Sequence, residues 1–264
     1  MPNGRRADSA EDRPLLSVRG LTKYFGGLCA VKDLDFVVQP QQVFGIIGPN
    51  GAGKTTLFNL ITGIYAPNGG QVVFKSEDIT YLKAHQMAAK GITRTFQAIR
   101  LFGEMTALEN VLIGYHSQLR SGIFGSVVRL SATTREEREA NERAREWLGV
   151  AGLAGKEHVV VNNLSYGEQI EVGITRAIVR NPELVLLDEP AGGLTYAESE
   201  KLTKLIQEII GRGITVMLIE HRMQFLMNLA RQILVIHHGE KLFVGTPDEV
   251  RADARVIEAY LGRE

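Results

Sequence analysis

An unbroken apolar run, Val43-Phe44-Gly45-Ile46-Ile47, leads straight into Gly48-Pro49-Asn50-Gly51-Ala52-Gly53-Lys54-Thr55, and then into a segment carrying Leu57, Phe58, Leu60 and Ile61. Strand, glycine-rich loop and amphipathic helix in this order satisfy GxxxxGK[ST], and the constraint is physical. Glycines let the backbone curl until successive N–H groups point inward, and the helix that follows adds the positive end of its dipole. The loop is thereby a cradle for phosphate oxygens. Lys54 is placed to reach the β- and γ-phosphates, Thr55 to put its hydroxyl on Mg2+, and Thr56 follows in the same turn. The plain alternative is a glycine-rich turn that merely starts a helix. The flanking strand and helix favour nucleotide binding.

Two more apolar runs, Leu184 to Leu187 and Thr215 to Ile219, have the pattern of parallel strands buried on both faces. In an open α/β sheet ligands bind beyond the carboxyl ends of such strands. There Asp188 and Glu189 follow the first run, an expensive place for adjacent acids unless a cation or protons compensate. Asp188 suits the Mg2+ shell and Glu189 suits a general base polarising the attacking water. Alone, the pair also reads as helix-capping acids after a core strand. Near the N-terminus, Leu15 to Arg19, Leu34 to Val38 and Gln71 to Phe74 read as short antiparallel strands. Thr106-Ala107-Leu108-Glu109 is a capping box opening the run Asn110 to Gly114. Residues 133–150 read as a charged helix with a Glu139–Arg143 pair, a solvated face, and Trp147, Leu148 and Val150 at a buried end. His237-His238 precedes Gly239-Glu240, which reads as a hairpin turn; no further metal ligand stands at suitable spacing.

Composition removes whole classes. The 264 residues carry 30 Lys+Arg against 30 Asp+Glu, and 44% are hydrophobic, which excludes disorder and argues against a general nucleic-acid binder. The single Cys29 makes no internal disulfide and points to a reducing compartment. The longest charge-free stretch, Thr55 to Phe74, is broken by Asn, Gln, Pro and Gly, so no transmembrane span is expected. Residues 1–14 have charge but no apolar core, so they read as a frayed tail and not a secretion signal. No internal repeat is present, and one domain is expected over 15–264.

Further motifs narrow the reading. Leu164-Ser165-Tyr166-Gly167-Glu168-Gln169 resembles the signature LSGGQ of ATP-binding cassette (ABC) ATPases, Gln97 in Arg94-Thr95-Phe96-Gln97 resembles their Q-loop glutamine, and His221 after Ile219-Glu220 resembles their switch histidine. All stand in the family order. Taken singly, each has a plainer reading: Ser165-x-x-Glu168 is a capping box, Gln97 a surface loop residue, His221 a structural histidine. Phe25, or less favourably Tyr24, sits where the family stacks an aromatic on adenine. The resemblance extends to the ATPase subunits of bacterial branched-chain amino acid importers, through Phe25-Gly26-Gly27-Leu28, Gly91-Ile92, Arg100-Leu101-Phe102, Glu189-Pro190-Ala191 and Val256-Ile257-Glu258-Ala259-Tyr260-Leu261-Gly262. The segment from about His116 to Arg135 is similar to the larger of that system's two ATPases.

What the resemblance implies is an α/β fold, a P-loop NTPase (RecA-like) core over 15–96 and 170–264 with an N-terminal antiparallel β subdomain. A helical subdomain over about 97–169 carries the signature. It implies ATP and Mg2+ as ligands, with Thr55, Gln97 and Asp188 on the metal and Glu189, His221 and Gln97 in catalysis. It implies Ser165, Tyr166, Gly167 and Glu168 acting on the ATP of a second cassette, in a homodimer or heterodimer. Partners would be two transmembrane permease subunits and, indirectly, a solute-binding protein, with no nucleic acid. The place would be the cytoplasmic face of the inner membrane. Lipid or polysaccharide export, or a soluble ABC ATPase acting on ribosomes or DNA, are the alternatives. Three positions depart from the family pattern: Thr195 where Asp or Asn is usual, Glu171 where Arg is frequent, and Arg222 where these importers have Asp.

Overall fold

Val43–Ile47, Leu184–Asp188 and Thr215–Ile219 are buried at every position, as strands covered on both faces must be. The structure, a computed structural model, describes residues 13–95, 101–116 and 130–261. Its strands are β1 (Leu16–Phe25), β2 (Leu28–Val38), β3 (Val43–Ile47), β4 (Gly69–Phe74), β5 (Glu77–Asp78), β6 (Ile92–Arg94), β7 (Leu184–Asp188), β8 (Thr215–Ile219), β9 (Gln232–His237) and β10 (Glu240–Gly245). Its helices are α1 (Lys54–Ile61), α2 (Ala84–Ala89), α3 (Ala107–His116), α4 (Leu130–Val150), α5 (Tyr166–Ile178), α6 (Tyr196–Gly211), α7 (Met223–Leu229), α8 (Pro247–Ala252) and α9 (Ala254–Leu261).

The strands form two sheets. One has the order β10-β9-β3-β8-β7-β6, parallel except for the β9–β10 hairpin that closes over His238-Gly239. The other, β2-β1-β4-β5, is antiparallel, as the N-terminal sequence predicts. The expected strands are there but longer: β1 and β2 extend to a tight turn at Gly26-Gly27, which pairs Phe25 with Leu28.

Alternation along the central strands sends side chains into two cores. Val43, Ile47, Val185, Leu187, Val216 and Leu218 face the layer of α3 to α7. Phe44, Ile46, Leu184, Leu186, Met217 and Ile219 face α1 and the antiparallel sheet, where Phe36 stacks on Phe44 with ring centroids 5.4 Å apart. The second helix of the α layer, α4, is charged along its exposed side. It is anchored by Ala140, Ala144, Trp147 and Leu148, with Trp147 Nε1 donating to Asn181 Oδ1 at 3.1 Å. Its Glu139 pairs at 2.9 Å with Arg135, one turn N-terminal to it, and not with the expected partner Arg143, one turn C-terminal. Thr106 and Glu109 form the expected cap at the start of α3. No helix of the described residues is long and apolar enough to cross a membrane.

Candidate active site

Strands β9, β3, β8 and β7 are neighbours, so the four segments beyond their carboxyl ends converge: His238, Gly48, Glu220-His221 and Glu189. Of these, His238, His221 and Glu189 wall a cleft of about 670 Å3 together with Gly239, Asn50 to Thr56 and the β1–β2 turn residues Phe25, Leu28, Cys29 and Ala30. The phosphate loop is held by its neighbours at very short range. A Cβ on Gly53, whose φ is 101°, would lie 2.4 Å from the Ala30 carbonyl oxygen, and one on Gly48 would lie 2.1 Å from that of Ile236. Only glycine fits there. Pro49 O accepts from Ala52 N at 3.1 Å and Ala52 O accepts from Gly239 N at 3.0 Å, tying the loop to the β9–β10 turn. Helix α1 starts at Lys54 with Gly53 as its N-cap and no side-chain cap, so its first N–H groups face the cleft side of the loop. Lys54 is buried and its Nζ donates to Gly48 O at 2.6 Å and Pro49 O at 2.9 Å. Burial pushes its ammonium pKa down, while the carboxylates of Glu189 and Asp188 pull it back up.

The adjacent acids at the end of β7 live in opposite surroundings. Asp188 is buried and ion-paired with Arg94 of β6, Nη2 to Oδ2 at 2.7 Å, whereas its Oδ1 is buried without a hydrogen-bond partner. Burial raises its pKa, against the hydrogen bond and charge of Arg94. Glu189 is turned out of the strand by a left-handed backbone, φ 52°, an uncommon conformation for a residue with a side chain. Its side chain is 23% exposed, and its Oε1 lies 2.7 Å from His221 Nε2. Glu220 fixes the geometry between them. Its carboxylate accepts from Ala191 N at 2.7 Å, His221 N at 3.1 Å and Arg222 N at 3.2 Å, locking the turn after β8 to the turn after β7. Burial raises the Glu220 pKa and those three N–H groups oppose it.

The signature segment stands elsewhere. Among the described residues, the cleft lining contains none of Ser165, Tyr166, Gly167 or Glu168. Ser165 is the N-cap of α5: its Oγ accepts from Glu168 N at 3.3 Å, and Glu168 Oε2 accepts from Ser165 N at 3.0 Å. Glu168 is also held by Lys156, the main cause of its depressed pKa. Gly167 is packed so closely on α6 that a Cβ would lie 2.8 Å from Glu198 Oε1.

The three departures from the family pattern have local consequences. Thr195 caps α6 through the same reciprocal box, its Oγ1 accepting from Glu198 N and Glu198 Oε2 accepting from Thr195 N at 2.9 Å. Arg222 Nη1 donates to Ser199 Oγ at 2.7 Å and to the Ala191 and Leu194 carbonyls at 3.2 and 3.3 Å, stitching the segment after Glu189 to the segment after β8. Glu171 is buried on α5, where desolvation lifts its pKa to about 7 against the pull of Lys201. Arg222 and Glu171 thus serve different neighbourhoods.

The structure therefore brings together Phe25, the whole loop from Gly48 to Thr56, Asp188, Glu189 and His221, and keeps Ser165 to Glu168 apart. Gln97 lies outside the described residues, as does most of the segment from 116 to 135. Phe25 lies edge-on to Tyr65, centroids 5.2 Å apart. Sequence reasoning missed Tyr65, the wall residues Leu28, Ala30 and His238, the clamp Glu220, and Arg94 as the partner of Asp188. Glu220 had a signal, an acid beside a histidine at a strand's carboxyl end. Arg94 had none, since it meets Asp188 across 94 positions of chain.

Comparison with known proteins agrees with this geometry. A family model described as ABC transporter matches residues 31–192, and one described as branched-chain amino acid ATP-binding cassette transporter matches residues 240–264. The chain is 43% identical over 251 residues to the high-affinity branched-chain amino acid transport ATP-binding protein LivG of Escherichia coli (strain K12), covering 95% of this chain and 98% of LivG. It is equally identical, over the same shares, to the corresponding protein BraF of Pseudomonas aeruginosa. Among solved structures, a nucleotide-free ATP-binding cassette from an ABC transporter superposes with TM-score 0.82 at 32% identity, covering 94% of this chain and 99% of that one. A cassette of an ABC transporter in its ADP conformation superposes with TM-score 0.83 at 30% identity, covering 95% and 100%. With the phosphate loop, Glu189 and His221 in one cleft and these relatives spanning nearly its whole length, the chain belongs to the ABC transporter family, as an ATP-binding, ATP-hydrolysing cassette.

Proposed function

We propose that this cassette powers an importer for branched-chain amino acids or a similar small polar solute. It would act as one of a pair on the cytoplasmic face of the inner membrane, docked on two transmembrane permease subunits fed by a solute-binding protein. The names of LivG and BraF, and the C-terminal match over residues 240–264, support the solute class. The observation that carries the mechanism is the 2.7 Å contact of His221 Nε2 with Glu189 Oε1, beside a phosphate loop whose helix lacks a side-chain cap.

The steps follow from the chain's own groups. Phe25, with Tyr65 behind it, offers the adenine a ring. Lys54 leaves the Gly48 and Pro49 carbonyls for the phosphates, and the backbone N–H groups from Asn50 to Thr56 line the rest of the cradle. Glu189 takes a proton from the attacking water as its oxygen bonds the γ-phosphorus and the bond to the β-phosphate oxygen breaks, releasing ADP. His221 holds the Glu189 carboxylate in place through Nε2.

Asp188 and Thr55 fit a divalent cation. Asp188 Oδ1 is a buried, unbonded carboxylate oxygen at the end of β7, and among the described residues no cluster of three or more His, Cys, Asp or Glu forms a protein cage. One carboxylate and one hydroxyl are what Mg2+ needs when substrate phosphates supply further ligands. When bound, Mg2+ would neutralise charge developing on the phosphates. Gln97 would add a contact from the segment beyond β6. Ser165, Tyr166, Gly167 and Glu168, outside their own cleft, would close over the ATP of the second cassette.

The test is reconstitution of the chain with its permease subunits in lipid vesicles. The proposal predicts ATPase stimulation by binding protein loaded with leucine, isoleucine or valine. Stimulation confined to an unrelated solute overturns the solute class, and none by any loaded binding protein overturns the importer assignment.

A further inference from the structure

Arg94 and Asp188 are an ion pair buried on both sides, their side chains 6% and 1% exposed. The guanidinium does more than neutralise. Nη2 donates to Asp188 Oδ2 at 2.7 Å, Nη1 donates to Asn59 Oδ1 of α1 at 2.5 Å, and Cζ lies 5.4 Å from the centroid of the Phe58 ring. One planar cation thus fastens the end of β7 to the helix that follows the phosphate loop, from its own place on the edge strand β6. The other carboxylate oxygen, Oδ1, is buried and unbonded. A buried pair of this kind adds little stability by itself, since apolar replacements of similar volume are frequently neutral. A role in geometry accounts for it better.

We infer that Arg94 is a positioning residue for the divalent cation: by gripping Asp188 through Oδ2 and bracing on Asn59, it presents Oδ1 to the metal. This rests on the proposed reading of Asp188 as a metal ligand. A forked guanidinium satisfies both acceptors at a fixed angle, whereas a lysine ammonium delivers the charge without the fork. Loss of a group that orients a metal ligand typically weakens metal affinity about 10–100-fold.

The experiment uses the full chain loaded with ADP and Mn2+ as the probe, followed by electron paramagnetic resonance. Arg94→Met is expected to weaken Mn2+ binding about tenfold or more, and Arg94→Lys by a smaller factor. ADP affinity in EDTA should stay within about twofold of the parent. Asp188→Asn is measured alongside. If it weakens Mn2+ and Arg94→Met does not, the role of Arg94 is overturned while the reading of Asp188 stands. If Asp188→Asn binds Mn2+ normally, that reading fails and the inference falls with it. Equal loss of ADP and Mn2+ affinity in Arg94→Met marks a structural role and also overturns it. Should Arg94→Met not fold, Arg94→Lys and Asn59→Ala decide: weakened Mn2+ binding with normal ADP affinity supports the inference, and unchanged Mn2+ binding in both overturns it.

Discussion

The cleft and the signature segment, both proposed to meet phosphate, are built by different means. The cleft stands at the carboxyl ends of adjacent parallel strands, and its chemical groups are bonded to one another: Lys54 to loop carbonyls, Asp188 to Arg94, Glu189 to His221. The signature segment is an exposed helix N-terminus whose side chains are spent on capping their own helix, Ser165 on Glu168 N and Glu168 on Ser165 N. A sheet can hold side chains in a fixed constellation, whereas a capped helix end chiefly offers an oriented dipole and the backbone of its first turn. The first arrangement suits chemistry and the second suits docking on an anion brought by a partner. This is why the two halves need not belong to one active site.

Substitutions that separate these roles break or sharpen the contrast. Glu189→Gln keeps size and removes basicity, so turnover should fall ~10²–10⁴-fold with ATP binding retained, as read by phosphate release and calorimetry. Near-normal turnover would remove Glu189 from the chemistry. Lys54→Ala should raise the dissociation constant for ATP by ~10²-fold, the scale of a lost charged hydrogen bond; parental affinity in calorimetry would contradict the loop reading. On the other side, Ser165→Ala should leave ATP binding to the isolated chain unchanged while removing an N-cap worth ~1 kcal/mol, a Tm decrease of about 2–4 °C. A loss of ATP affinity in that variant would show that the signature serves its own cleft.

The smallest effect is the pH dependence of Glu171. Desolvation holds its folded pKa at about 7, above the unfolded carboxyl, so the folded chain favours the proton. Stability is therefore fullest below the unfolded pKa, declines as pH rises, and levels off above about 7. Glu171→Gln removes the charge that burial penalises. Its Tm should exceed that of the parent by more near pH ~8 than near pH ~5, and the reverse order would contradict this account.

Much of the cleft is legible in the sequence because its geometry is local. The spacing of Gly48, Gly53, Lys54 and Thr55 is itself the loop, and β3, β7 and β8 are apolar without interruption, so the residues beyond them announce themselves. The caps at Thr106 and Ser165 are equally plain, and Thr195-x-x-Glu198 carries the same pattern. Contacts made only by folding were not legible. Arg94 sits on a three-residue edge strand with no periodicity to mark it, and its partners Asn59 and Asp188 lie 35 and 94 positions away. Ala140 and Ala144 anchor a helix whose sequence reads as charge, because small residues give little hydrophobic signal.

The central proposal, that each site is completed by the signature of a second cassette, is tested most directly by cross-linking between chains, here in the homodimeric arrangement. Asn50→Cys is placed in one copy and Ser165→Cys in another, both carrying Glu189→Gln to hold ATP and Cys29→Ser to remove the native thiol. With ATP and a short bis-thiol reagent, the account predicts a covalent dimer that needs both new cysteines and the nucleotide. No dimer, or one that forms equally without ATP, would contradict it.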